Sequence, residues 1–251
     1  AIISGLSAGT YTVSVSADNS CESSCSVQVL ENIADSVTII SSSINNTICQ
    51  GDFIELIVNP INLAGNFNGN QQWVDLGADI TNLNDASFTI EAWVRTTGTG
   101  EGIVVSSNND NIWEFGERAF YIDANGAPAF VGFANQYILS NTAVNDGSWH
   151  HVAVVRDYST LPGTGAIYID GINRTSSSTY SANAFPNIGS FSIGRPNYAE
   201  APNYFTGDMD EVRIWNLPRT AAEIQSGILS PVLPFAAGLL AYYKFDERPF
   251  L

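Results

Sequence analysis

From Phe67 onward the chain runs in short stretches of apolar, β-branched and aromatic residues, each closed by Gly, Asn or Asp, and that rhythm is the pattern of antiparallel sheet. The stretches are Gln72–Leu76, Ser87–Thr96, Gly102–Ser106, Ala119–Asp123, Ala129–Ala134, Trp149–Arg156, Ala166–Ile169, Ser190–Gly194, Asp208–Trp215 and Leu239–Phe245. So many short strands without alternating helices predict an all-β sandwich or jelly roll. Asn125-Gly126 and Asp170-Gly171 are hairpin dipeptides, suited to positive φ. Within Phe88–Arg95, Phe88, Ile90, Ala92 and Val94 share one face, while Thr89, Glu91, Trp93 and Arg95 share the other, as two packed sheets require. One helix is expected: Thr220 and Glu223 form a capping box that opens Ala221–Ser226, with Gly227 placed to stop it.

The first quarter of the chain reads differently. Gly9–Val15 and Ser26–Leu30 are two strands joined by a polar turn around Asp18 and Asn19. Two strands bury no core alone, so residues 1–31 are expected to be the end of a domain that begins earlier. Residues 32–60 hold two further strands, Ser36–Ser41 and Phe53–Val58, and residues 61–251 form the large domain. Cys21, Cys25 and Cys49 are the three cysteines, so at least one is unpaired within this chain or bonded outside it, and no fourth ligand completes an all-cysteine zinc site.

Charge narrows the partners. Twenty-five acidic against nine basic side chains give a formal charge of −16, which repels nucleic acid and anionic lipid surfaces. Charged residues are only 14% of the chain, so Asn, Ser, Thr and Gly cover most of the surface, as in many secreted β-sandwiches. The acidity serves solubility or, alternatively, divalent-cation binding. No apolar run approaches the roughly 20 residues that span a bilayer, so membrane insertion is not expected, and Ala1–Thr10 lack a secretory leader pattern.

Several phrases carry a family resemblance. They are Phe67-Asn68-Gly69 with Trp73-Val74-Asp75-Leu76-Gly77, Phe88 through Arg95, Trp149-His150-His151-Val152 through Arg156, Tyr168-Ile169-Asp170-Gly171, Ile193-Gly194-Arg195, Gly207 through Asn216, and Gly238 through Glu247. In order and spacing they resemble the laminin-G-like or pentraxin-like jelly rolls of the concanavalin A-like class found in bacterial surface proteins. The resemblance implies a jelly-roll sandwich that binds ligands or acts as a spacer. Residues Ile2–Leu30 resemble the C-terminal half of a repeat in gliding-motility adhesins of Bacteroidetes, through Ile3-Ser4-Gly5-Leu6-Ser7-Ala8-Gly9-Thr10-Tyr11-Thr12-Val13 and Cys21. Ile48-Cys49-Gln50-Gly51-Asp52-Phe53 looks like the second strand of an immunoglobulin-like module; Cys49 then bonds Cys21 or Cys25, or stays free. These likenesses imply a cell-surface adhesin, secreted by the type IX machinery, with neighbouring domains of the same chain as partners. Asp35-Ser36-Val37 matches a short Bacteroidetes O-glycosylation pattern.

Site chemistry is sparser. His150 and His151 are adjacent on one strand and face opposite ways, so they cannot act together on a metal or substrate. Glucanases of this fold class use Glu-x-Asp-x-x-Glu on one strand. Asp208, Asp210 and Glu211 only partly match it: alternation puts Asp208 and Asp210 on one face and Glu211 on the other, and Arg213 or Ile214 stands where the second Glu belongs. The chain is therefore expected not to be an enzyme. The family resemblance implies a possible calcium site from Asp210 and Asn68, although an amide at 68 is a weaker ligand than a carboxylate, and Asp210 alternatively bonds neighbouring backbone amides. For glycan or surface-protein ligands the expected equipment is the loop carrying Asn197, Tyr198, Asn203 and Tyr204, together with Trp113; alternatively these residues only shape turns. Three functions stay open: an adhesin module, a spacer in a long surface filament, and a glycoside hydrolase.

Overall fold

A computed structural model describes residues 2–4, 9–16, 22–29, 34–41, 54–60, 107 and 229 by their backbone, and 64–77, 83, 87–106, 117–132, 136–159, 163–179, 190–196, 202–228, 232 and 235–245 with side chains. The chain divides into two compact units, one built on Ala1–Leu63 and one spanning Ala64–Phe245.

In the first unit, β1 (Ile2–Ser4), β4 (Ala34–Ser41) and β5 (Ile54–Pro60) form an antiparallel sheet in the order β1-β4-β5, and β2 (Gly9–Ser16) pairs with β3 (Glu22–Val29) as a separate hairpin. Ile3 sits opposite Val37, so this sheet joins segments on either side of the boundary expected near residue 31. Cys21 and Cys49 lie outside the described residues, as does the side chain of Cys25.

The second unit is a jelly-roll sandwich. Its strands are β6 (Gly65–Asn68), β7 (Val74–Asp75), β8 (Phe88–Thr96), β9 (Glu101–Ser107), β10 (Arg118–Ile122), β11 (Pro128–Gly132), β12 (Gln136–Ser140) and β13 (His150–Asp157). Then follow β14 (Thr164–Ile169), β15 (Ile172–Asn173), β16 (Thr175–Thr179), β17 (Ser190–Ile193), β18 (Thr206–Trp215), the helix α1 (Ala221–Leu229) and β19 (Leu239–Tyr243). The front sheet runs β15-β14-β13-β8-β18-β19, with β6 also paired to β18; the back sheet runs β16-β12-β11-β10-β9-β17-β7. Every pairing within both sheets is antiparallel.

The expected faces of β8 are realised. Phe88, Ile90, Ala92 and Val94 join Phe120, Phe130, Ile138, Val152, Val154, Ile167 and Ile214 in the core between the sheets. The other face of β8 is dry as well where α1 covers it: Ile224 packs on Ala153 and Val155, and Thr89 and Glu91 are fully buried. A carboxylate can be buried here because cations converge on it. Glu91 Oε1 accepts from Arg219 Nη1 at 2.7 Å and from Trp215 Nε1 at 2.9 Å, with Arg213 Nη1 at 3.5 Å.

Three expectations change. The helix does not stop at Gly227 but continues to Leu229. Gly227 serves close approach: its carbonyl accepts from Arg213 Nη1 at 3.0 Å, and a Cβ there would stand 3.2 to 3.3 Å from the Arg219 and Arg213 guanidiniums. Second, Glu211 does not oppose Asp208 and Asp210. A bulge between Asp210 and Arg213, with Glu211 at φ 51°, breaks the alternation. Its carboxylate therefore accepts from Arg213 and Tyr242, which lie opposite one another on the helix-covered face. Third, β12 and β16 were not among the expected strands; β16 is an edge strand of Thr and Ser, with no apolar stripe to reveal it. The hairpin expected at Asp170-Gly171 is present, with both residues at positive φ between paired Ile169 and Ile172.

Candidate functional site

Strand ends build one rim of the sandwich. β6, β8 and β17 finish there at Asn68, Thr96 and Ile193, and β7, β9 and β18 begin there at Val74, Glu101 and Thr206. Backbone bonds tie the connecting loops together: Gly69 N donates to Phe205 O, Phe205 N to Gly194 O, and Asn203 N to Gly100 O, at 2.9 to 3.0 Å. Loops held in this way can present side chains in a fixed arrangement without burying them.

The rim is rich in amides. Asn68 is exposed; its N–H donates to Gln72 Oε1 and its Oδ1 accepts from Asn70 N, both at 2.8 Å. Asn203 is exposed and its Nδ2 donates to Thr99 O at 2.9 Å; Tyr204, next to it, is half-buried. The same rim carries Trp73, one of few large apolar side chains left exposed among the described residues, at 37%, with the Arg195 guanidinium 4.9 Å from its ring centroid. Beneath lies Glu101, buried, accepting from Thr96 Oγ1 at 2.9 Å and from Thr206 N at 3.1 Å. Burial raises its pKa above the usual carboxylate value, against the lowering effect of the Thr96 and Thr206 bonds. Trp73, Arg195 and Glu101 were not singled out as site residues from the sequence. The available signal was Trp73 itself, a large aromatic set among Asn68, Asn70, Gln71 and Gln72.

Of the residues expected to bind ligand, Asn203 and Tyr204 come to this rim, while Asn197, Tyr198 and Trp113 lie outside the described residues. Asn68 and Asp210 are not brought together. Asn68 pairs with Thr206, four positions before Asp210 on β18, a separation of roughly 13 Å at about 3.3 Å per strand residue. Asp210 is buried, lies opposite Trp93 and accepts from Glu211 N at 2.8 Å. The two therefore do not fit a shared calcium ion, whose oxygen ligands lie at about 2.3–2.6 Å. Among the described residues no group of three or more His, Cys, Asp or Glu side chains could hold a metal ion.

The carboxylates of the partial glucanase pattern are engaged elsewhere. Asp208 pairs with Arg95 at 2.7 Å and accepts from Asn66 Nδ2 at 2.8 Å, and Glu211 is held by Arg213 and Tyr242. The histidines face opposite ways, as expected. His150 lies 2.9 Å from Asp170 and 3.3 Å from Asp146, whereas His151 is buried edge-on against Trp93.

A family model described as the concanavalin A-like lectin/glucanases superfamily matches residues 68–225. A Bacteroides ovatus protein proposed to bind carbohydrate is similar in structure, with a TM-score of 0.54 and 21% identity over 96% of this chain and 62% of that one. The CBM40 module of a Ruminococcus gnavus IT-sialidase gives a TM-score of 0.51 at 13% identity, over 65% of this chain and 95% of that one. The rat sushi, von Willebrand factor type A, EGF and pentraxin domain-containing protein 1 is 23% identical over 151 residues, 56% of this chain and only 4% of that protein.

Proposed function

The chain belongs to the concanavalin A-like lectin/glucanases superfamily, and from that premise we propose that the Ala64–Phe245 unit is a non-catalytic module that binds extracellular glycans, or glycan-bearing proteins, at the rim around Trp73. The supporting observation is the exposed Trp73 ring, next to Gln72 in the chain and on the same rim as Asn68 and Asn203. A flat apolar face flanked by amide donors and acceptors matches a sugar ring, which is apolar on one side and hydroxylated at its edge. Carbohydrate binding in the names of the Bacteroides and Ruminococcus proteins favours the same ligand class. Catalysis is disfavoured because Asp208 and Glu211 are each held by a guanidinium. The proposed binding does not run through calcium held by Asn68 and Asp210.

The wider role is part of the same proposal. It places the protein on a bacterial surface as an adhesin, exported by the type IX pathway and serving attachment or gliding, on the strength of the Ile2–Leu30 resemblance. The spacer role is the alternative. A glycan array probed with the whole chain tests the module. Retention that falls about tenfold in Trp73→Ala, with unchanged melting temperature, supports the rim. Retention untouched by Trp73→Ala and Asn203→Ala discards it, and failure to retain on any glycan leaves the spacer.

A further inference from the structure

A second concavity lies at the opposite end of the sandwich, on the helix side of the front sheet. Helix α1 packs through Ile224 on Ala153, Tyr168 and Val155, and on this face the β13–β14 ladder runs on past it through Ala166, opposite Val155, to Asp157 opposite Thr164. The end of this strip floors a cleft of about 400 Å³, lined also by Tyr168, Asn173 and Pro218–Thr220. That volume falls in the range of roughly 300–1,000 Å³ typical of small-ligand sites. Ala166, a small residue on the floor, keeps the strip deep.

The polar atoms of this cleft define what fits it. Asp157 Oδ1 accepts from Ser159 N at 2.8 Å and from Ser87 Oγ at 3.3 Å, and Oδ2 carries no bond from a described residue. Asn173 Oδ1 accepts from Thr175 N at 3.0 Å and from Thr175 Oγ1 at 2.8 Å, and Nδ2 likewise carries none. The cleft therefore presents one ionised acceptor and one amide donor beside the apolar surface of Val155, Ala166 and Tyr168. Among the described residues of its lining the one cationic side chain, Arg219, is committed to Glu91 and to Glu223 O. No guanidinium among the described lining residues is left to receive an anion, and Asp157 repels one. Its carboxyl is held below its usual pKa, chiefly by the Ser159 N–H.

We infer that this cleft is a second binding site, for a neutral saccharide unit whose hydroxyls meet Asp157 Oδ2 and Asn173 Nδ2 while its apolar face lies on Tyr168 and Val155. Asp157 lies opposite Thr164 and Asn173 opposite Tyr168, four residues further along β14 and roughly 13 Å away at about 3.3 Å per residue, so the carboxylate and the amide meet hydroxyls on opposite sides of one ring, one donating and the other accepting. The site is separate from the rim, since β13 begins at the rim with His150 and ends at the cleft with Asp157.

The test is saturation-transfer NMR on the whole chain with millimolar glucose, galactose, mannose, xylose and cellobiose, and N-acetylneuraminic acid as the anionic comparator. At least one neutral sugar should bind. Its Kd should rise about tenfold or more in Asp157→Asn and in Asn173→Asp, which keep the Oδ1 bonds and change only the second atom, bonded to no described residue. Ala166→Leu, which fills the floor, should abolish the transfer; should it fail to fold, the two isosteric variants decide the matter. The inference is overturned if no neutral sugar binds, if only the acid binds, or if the loss follows Trp73→Ala rather than the cleft variants. In the last case the rim reading survives alone. Array retention lost in the cleft variants but not in Trp73→Ala would reject the rim and keep the cleft.

Discussion

Adjacent histidines on β13 have opposite consequences for stability. His150 has a raised pKa: burial alone would lower it, and the bond to Asp170, followed by that to Asp146, more than offsets this. Its contribution is therefore full below the unfolded value of about 6.5 and is lost as pH rises through the folded value. His151 is pushed down to about 3, mainly by burial and then by the Arg213 charge. Unfolded chain takes up that proton when folded chain does not, so stability drains away as pH falls from about 6.5 towards 3. Denaturant titrations across this range should show His151→Phe to be less acid-sensitive than the parent, and His150→Gln to lose stability on the acid side only. Among the described residues neither ring nitrogen of His151 has a hydrogen-bond partner, and Glu91 Oε2 stands off at 3.6 Å, beyond hydrogen-bond range. His151→Phe should therefore also gain about 1 kcal/mol at neutral pH, read from the denaturation midpoint. The adjacency of the histidines was legible in the sequence, and so was their facing opposite ways; the charged groups that act on the two come from the loop before β13, the β14–β15 turn, β18 and the segment before α1.

At the scale of elements, α1 is held to the sheet by charge as much as by apolar contact. Arg213 reaches Gly227 O, Arg219 reaches Glu223 O, and both guanidiniums converge on Glu91. Glu91→Gln leaves the buried Arg213 with less compensation, and a loss of about 3 kcal/mol or more in urea unfolding is expected. Gly227→Ala offers a sharper measurement. Helix propensity alone would favour alanine by about 1 kcal/mol, but the new methyl would press on two guanidiniums, so the melting temperature should not rise. The start of α1 was readable from Thr220 and Glu223, whose reciprocal bonds are present at 2.7 to 3.3 Å. Its end was not, because Gly227 answers to side chains from β18 and from the segment before the helix rather than to a helix stop.

For the whole molecule, the Ala64–Phe245 unit carries its own core, two complete sheets and the helix. An excised 64–245 fragment should therefore unfold cooperatively by calorimetry and keep the array retention of the full chain. A broad, non-cooperative transition would show that the unit depends on residues beyond it.

Alternating apolar residues, turn dipeptides and the capping box act over a few neighbours, and by themselves they determined that this chain builds an all-β sandwich or jelly roll, which β8 residues enter the core and where α1 begins. Only the tertiary structure decided that Glu211 turns to the side of Arg213, that Asn68 and Asp210 stay apart, and that Trp73 meets Arg195. Those outcomes depend on strand register, on one bulge and on which strand ends share a rim. Each is set by pairing between residues distant in the chain, and no local pattern encodes such pairing.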